Sequence, residues 1–355
     1  MDNYMNSFSK TLVGLTLSAA LTLPLAPAAR AQYAFTNFDG PVQTTGGGTL
    51  FSTTVNGISN TGAVVGYTTD TNGVFTNFYG TPGAFTVLNL TGTASANAIN
   101  TSSQVVGTNG SAAFTLNGIS SSNKPLPLPP VNATTTSEAA FGINDSGIIV
   151  GQYTDSSSGT TPGFVDVNGA YTTLVPFPVV LNTPLVVNAQ GINNNGLVVG
   201  FYAQNNAGND QHGFLYDTAT NAYTLLPDPS TAQTANDNLF LTQFLGINDT
   251  GEAVGYYQTK DTNSQYGFLF NTLTNAYTYL DDPAAVPFNS GQVTQITGID
   301  NAGDIAGFFV NAAGTQQGFL AAPVPEGSSG LGLGLLLLTG GGWLFFQRRR
   351  DGRST

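Results

Sequence analysis

The chain has 355 residues, of which 8% are charged: Lys+Arg is 8, Asp+Glu is 20, and the net charge is −12. It has no cysteine and a single histidine. Disulfides, thiol catalysis and Cys- or multi-His metal centres are therefore excluded, and nucleic acid is excluded as a partner by the lack of clustered Lys and Arg.

Residues 1–31 read as a secretory signal peptide. Lys10 supplies the positive start and residues 11–25 form a mostly apolar run. Ala29-Arg30-Ala31 offers a small-x-small cleavage site, leaving Gln32 as the mature start. A membrane anchor is the alternative, but the run is short and ends in Pro24 and Pro27. An exported chain without cysteine does not rely on disulfides.

Residues 32–323 hold two basic residues, Lys124 and Lys260, and 17 of the 20 acids (all but Asp2, Glu326 and Asp351). One pattern recurs there: small-Ile, a polar turn with Gly, two apolar residues, then Gly and often two aromatics. Its copies begin at Gly57, Ala98, Gly142, Gly191, Gly246 and Gly298, 41 to 55 residues apart. That period suits the blades of a β-propeller. Later copies add a Gly-Phe strand (Gly163, Gly213, Gly267, Gly318) and an Ala-Tyr-Thr strand (Ala170, Ala222, Ala276). With the strand before each Gly-Ile, these make four strands per copy. The sixth copy lacks the last strand. The segment from Ala34 to Pro41 aligns without gaps with Ala276 to Pro283, so the mature N-terminus supplies it. The expected fold is all-β: a six-bladed propeller in which an N-terminal strand completes the last blade and removes a sheet edge. An open β-solenoid or a β-sandwich array is the alternative.

The turns at Asn144-Asp145, Asn248-Asp249 and Asp300-Asn301 could offer oxygen ligands to calcium. The same residues are the chemistry of a tight turn, with Gly147, Gly196, Gly251 and Gly303 supplying positive φ. Each turn has only one or two acids, so the turn reading is preferred; calcium stays as the alternative and no other cofactor is expected. The second glycines (Gly66, Gly107, Gly151, Gly200, Gly255, Gly307) are expected to allow close backbone approach near a crowded axis. His212 reads as a repeat element rather than a general base. Tyr202, Tyr256, Tyr257, Phe308 and Phe309 read as core between blades. With no Arg in residues 32–323, a sialidase-type site is excluded. A two-carboxylate glycosidase needs a convergent acid pair, and none stands out: Asp281-Asp282 aligns with Asp39-Gly40 and reads as a turn. No catalytic residue is assigned and enzymatic activity is not expected.

Residues 324–355 form a three-part tail. Val324, Pro325 and Glu326 precede Gly327. An apolar run over 330–346 follows, then Arg348, Arg349 and Arg350. The run would span roughly 26 Å as a helix, the short end for a transmembrane segment, and the arginines would hold the cytoplasmic side. This tail resembles the PEP-CTERM sorting signal of Gram-negative bacteria; Gly327 stands where the second Pro is usual. The resemblance implies transient residence in the inner membrane, processing by an exosortase-type enzyme, and delivery to the cell surface or extracellular space. It also implies association with exopolysaccharide. A permanent single-pass anchor is the alternative.

The repeats resemble the extracellular HAF family. Its units carry the Gly-Ile-Asn…Gly…Val-Gly pattern and a His-Gly-Phe-Leu element, matched in full at His212-Gly213-Phe214-Leu215. That resemblance implies secretion and repeats but no chemistry. The function expected is a structural or interaction module of the extracellular matrix, with exopolysaccharide or surface proteins as partners. The alternative is a carbohydrate-binding or polysaccharide-degrading propeller using Asp residues.

Overall fold

The computed structural model describes residues 32–324, apart from 43–46, 91–92, 119–123, 126–133, 175–185, 204–209, 232, 236–237 and 288–290. The signal peptide with Ala29 and Ala31 lies outside the described residues. So do Pro325, Glu326, the apolar run 330–346, and Arg348, Arg349 and Arg350. Val324 ends the last strand. Among the described residues no helix is long and apolar enough to cross a membrane.

The described chain is all-β, with strands paired into four-stranded antiparallel units. Strand β1 (Gln32–Phe38) stands apart in sequence from its sheet. The first unit is β2 (Leu50–Ile58), β3 (Val64–Asp70), β4 (Phe75–Thr81) and β5 (Ala84–Val87). The second is β6 (Ser95–Ile99), β7 (Gln104–Asn109), β8 (Ala112–Asn117) and the short β9 (Lys124–Pro125). The third is β10 (Thr135–Ile143), β11 (Ile149–Asp155), β12 (Gly163–Val167) and β13 (Ala170–Leu174). The fourth is β14 (Val186–Ile192), β15 (Leu197–Ala203), β16 (Gln211–Asp217) and β17 (Ala222–Leu225). The fifth is β18 (Leu239–Ile247), β19 (Glu252–Thr259), β20 (Gln265–Asn271) and β21 (Ala276–Tyr279). The sixth has β22 (Thr294–Ile299), β23 (Ile305–Val310) and β24 (Gln316–Val324). Its fourth strand is β1, antiparallel to β24 from Gln32 opposite Val324 to Phe38 opposite Gly318.

The middle strands lack the polar–apolar alternation of a half-exposed sheet because both their faces are covered. In β15, six consecutive residues from Val198 to Ala203 are buried. Each third strand buries a phenylalanine at the same place: Phe78, Phe114, Phe164, Phe214, Phe268 and Phe319 are at most 1% exposed. Burying such a ring is worth roughly 2–3 kcal/mol. The second glycine of every copy stands opposite that ring, as Gly255 does opposite Phe268. A Cβ on Gly255 would lie 2.9 Å from the Phe268 ring and would collide with the Gln243 carbonyl. The second glycine therefore makes room for a neighbouring strand within its own sheet, where the repeat pattern had suggested a crowded axis.

Six apolar clusters hold the units to one another. Each straddles two neighbours: first and second, second and third, third and fourth, fourth and fifth, fifth and sixth, and sixth and first. The first strands also touch in succession, β2 to β6, β10, β14, β18 and β22, and β22 lies against β2.

Candidate functional site

Every first strand carries a β-bulge at the same place. The register slips between Val55 and Gly57, Ala96 and Ala98, and Ala140 and Gly142. It slips again between Ala189 and Gly191, Phe244 and Gly246, and Ile296 and Gly298. A bulge inserts one unpaired residue and re-aims its side chain. The six inserted residues are Asn56, Asn97, Phe141, Gln190, Leu245 and Thr297, and all six line a single cavity of about 260 Å³. Ser95, Gln243 and Gln295 join them from two residues upstream, with Tyr67 and Phe308 from the second strands. Among the described residues the lining is amides, hydroxyls, aromatic rings and one leucine, without a charged group.

Some of these groups are tied down. Asn56 Nδ2 donates to the Ala96 carbonyl at 2.8 Å, and Asn97 Nδ2 to the Ala140 carbonyl at 2.9 Å. Thr297 Oγ1 donates to the Val55 carbonyl at 2.8 Å. The bulge residue thus staples the next unit where it is Asn or Thr. Phe141 and Leu245 have no donor, and Gln190 turns instead to Asn188. Gln243 and Gln295 donate to Gln211 and Gln265. One half of the wall is therefore stapled, and the other combines apolar surface with glutamine amides.

Two residues beyond each bulge begins the turn. Its first side chain, Asn100, Asn144, Asn193, Asn248 or Asp300, accepts from the N–H groups two and four residues on, as Asn248 Oδ1 does from Thr250 and Glu252. The Gly251 N–H then closes on the Asn248 carbonyl at 3.2 Å, with Gly251 at φ 82°. The second turn residue reaches across to other units. Asn301 N–H donates to Asn60 Oδ1, and Asn60 Nδ2 to Asp145 Oδ2. Asn194 Nδ2 bridges Asp145 and Asp249, and Asn301 Nδ2 donates to Asp249. Five residues from five units, the last link being the Asn301 main-chain N–H, thereby form a closed hydrogen-bonded ring around a space of about 70 Å³. Burial tends to raise the Asp145 carboxyl, but donors from Thr101, Asn194 and Asn60 together hold it below its ordinary value. These carboxylates are occupied by protein N–H and O–H groups. That is the arrangement the turn reading predicts, with the carboxylates serving as acceptors within the protein.

His212 starts β16 between two carboxylates: Nδ1 lies 2.8 Å from Asp228 Oδ2, and Nε2 lies 3.1 Å from Asp210 Oδ1. The Asp228 hydrogen bond raises its pKa most; burial opposes, and Asp210 adds to the rise. The Tyr202 ring lies 5.6 Å away. Asp281 and Asp282 form a turn. Asp281 accepts from the Gly267 N–H at 3.2 Å, Asp282 from the Ala284 N–H at 2.7 Å and from Asn37 of β1 at 3.3 Å. Burial pushes the Asp281 carboxyl up to about 6 against the Gly267 and Gln292 hydrogen bonds. Tyr202, Tyr256, Tyr257 and Phe309 are buried, whereas Phe308 is half-buried and faces the cavity.

Sequence reasoning selected the turns and missed the cavity. Six of its lining residues fall at the position just before each Gly-Ile or Ala-Ile, where the copies carry Asn, Asn, Phe, Gln, Leu and Thr. That variability beside a fixed motif was the available signal.

Residues 129–239 match a family model described as a protein of unknown function, DUF3466. No curated protein matches the chain. Among solved structures, a mutant Aleuria aurantia lectin in complex with Fucα1-6GlcNAc is 15% identical. The match covers 78% of this chain and 98% of the lectin, with a TM-score of 0.45. Another structure of the Aleuria aurantia lectin, described as a six-bladed β-propeller, gives 15% identity, 84% and 98% coverage, and a TM-score of 0.40. Oligogalacturonate lyase from Vibrio parahaemolyticus gives 10% identity, 84% and 99% coverage, and a TM-score of 0.46.

Proposed function

We propose that this chain is a six-bladed β-propeller, closed by β1, that is exported to the cell surface and holds a neutral saccharide of the extracellular matrix in its central cavity without turning it over. The observation that carries this reading is the cavity wall. Sugars present hydroxyls around a ring and apolar C–H faces on it. Gln190, Gln243 and Gln295 offer amide donors and acceptors, and Tyr67, Phe141 and Phe308 offer apolar faces. Among the described residues no charged group lines the wall, so an anionic sugar would be desolvated against them without a counter-charge. The described wall likewise offers no carboxylate as acid or base for two-carboxylate hydrolysis. Delivery rests on the signal-peptide pattern ending at Ala29 and Ala31 and on the tail with Pro325, Glu326 and Arg348, Arg349 and Arg350.

The test is binding of the full-length protein to an array of neutral and uronate-containing glycans, with and without a chelator. Neutral glycans are expected to bind, unaffected by chelation. Gln190→Leu and Gln243→Leu should each weaken binding about tenfold, the worth of one or two hydrogen bonds. Selective binding of uronates, or release of shortened glycan, would overturn the reading. Intact-mass analysis of protein from its native host tests the delivery route, which fails if residues 1–31 and 328–355 are still attached.

A further inference from the structure

We infer that the central cavity is blind, and that it captures the end of a neutral glycan chain or a single-residue branch rather than an internal segment. This rests on the saccharide reading above and adds which part of the glycan is recognised. Every first strand passes the same levels in the same order. Bulge residues come first, then a glycine or Ala98, then an isoleucine, then the turn. The bulge level bounds about 260 Å³ and the isoleucine-and-turn level about 70 Å³. The second is about a quarter of the first, so a unit that fills the first does not enter the second.

The narrowing is made of backbone. A Cβ on Gly191 would lie 2.9 Å from the Gly246 Cα, and one on Gly246 would lie 3.1 Å from the Gly298 Cα. A Cβ on Gly298 would lie 3.3 Å from the Gly57 Cα. Neighbouring first strands are therefore pressed together at this level and cannot part without unpacking the clusters between units. Beyond it, Asn60, Asp145, Asn194, Asp249 and Asn301 close the ring of hydrogen bonds. Both protons of the Asn194 amide are committed to Asp145 and Asp249. Asp145 Oδ1 is taken by the N–H and hydroxyl of Thr101, both at 2.9 Å. Each side-chain amide of the ring donates to a carboxylate of the ring, so the ring acts as a plug, not as a second sugar site. A polymer cannot thread past it. Among the described residues the cavity is open on the side where the first strands begin, and an internal segment lying across that side would leave Phe141, Gln190 and Leu245 uncontacted at the bottom. Only a terminal unit reaches them.

The test uses the full-length protein and calorimetric titration with three neutral ladders: linear maltodextrins, β-1,4-mannans and β-1,4-galactans, each from disaccharide to polymer. Cyclomaltohexaose serves as a glucan without ends. End capture is expected to give one protein per non-reducing end at every length, affinity per chain that stays flat beyond the shortest oligomers, and no binding of the cyclic glucan. Stoichiometry that rises with chain length, or cyclic and linear glucans binding alike, would overturn end capture while leaving the saccharide reading intact. If no ladder binds, the saccharide reading itself falls, and end capture with it.

Discussion

The side-chain amide of Asn194 lies 3.0 Å from Oδ2 of Asp145 and 3.0 Å from Oδ2 of Asp249, one neutral donor group of the fourth unit shared by carboxylates from the units on either side of it. Those carboxylates would repel each other without it. Asn194→Asp replaces the bridge with a third anion, so its cost includes the lost hydrogen bonds and new repulsion. At neutral pH it should lower stability by about 1–2 kcal/mol, the charged-hydrogen-bond range reduced for exposure. Asn194→Ala should cost less, because it removes the bonds without adding charge. Thermal unfolding of both variants checks this. The Asp variant should also recover on acidification below about pH 3.9, where carboxyls protonate, whereas the Ala variant should not.

Strand β1 is held by more than its ladder. Phe35 packs its ring 5.2 Å from Phe319, Tyr33 donates to the Gly303 carbonyl at 3.2 Å, and Asn37 reaches Asp282. Phe35 is half-buried, so Phe35→Ala should cost about 2 kcal/mol, roughly half the figure for a fully buried ring. Thr36→Ala, on the exposed face, should be neutral within about 0.5 kcal/mol. Urea denaturation of the two variants separates a strand that supports the fold from one merely laid on it: equal midpoints would show that β1 contributes no packing.

The turns were legible in the sequence because their chemistry is local: Asn248 and Gly251 satisfy each other within four residues. The third strands of the later units were legible through Gly-Phe. Those of the first two units were not, because Asn77 and Ala113 stand where glycine precedes the buried ring elsewhere. Asn77 fills that place by bonding the Ala94 carbonyl and the Ala96 N–H of the next unit. The cavity was not legible for a different reason. Asn56, Phe141, Gln190 and Leu245 range from amide to ring to aliphatic chain, and only the side-by-side packing of strands some fifty residues apart brings them to one wall. The His212 clamp was half legible: Asp210 is two residues away, but Asp228 arrives from a separate loop.

Glu138 occupies the place in β10 taken by Thr53, Val187, Thr242 and Thr294 in other first strands. It is 2% exposed, and among the described residues its carboxylate makes no hydrogen bond of full geometry to offset that burial. Burial pushes its carboxyl from 4.5 up to about 7, helped by Asp166 and opposed by the Ala113 N–H. A raised acid keeps its proton in the folded state after the unfolded chain has lost it. Stability should therefore fall as pH rises from 4.5 to about 7 and then level off. At about 1.4 kcal/mol per pH unit, the fall from this group is at most about 3 kcal/mol. Glu138→Gln, neutral throughout, should remove that slope. It should be more stable than the parent near pH 8 and similar to it near pH 4. Chemical denaturation across the range decides; a parallel slope in the variant would assign the pH dependence elsewhere.

His212 is the only imidazole in the chain, so its titration gives one unambiguous NMR signal. Its pKa stands above the ordinary 6.5, chiefly through the Asp228 hydrogen bond, with Asp210 contributing less. A raised cation pKa means that the clamp stabilises the fold below about 6.5 and loses that contribution as pH rises through the folded value. Asp228→Asn should bring the midpoint down further than Asp210→Asn. The double variant should fall below the ordinary value, because burial then acts unopposed. If Asp210→Asn has the larger effect, the 3.1 Å contact at Nε2 rather than the 2.8 Å contact at Nδ1 governs the charge. The loop carrying Asp228 would then be free of His212, and its susceptibility to proteolysis should not change with pH. With Asp228 dominant, that loop should become more open to cleavage as the imidazole loses its proton.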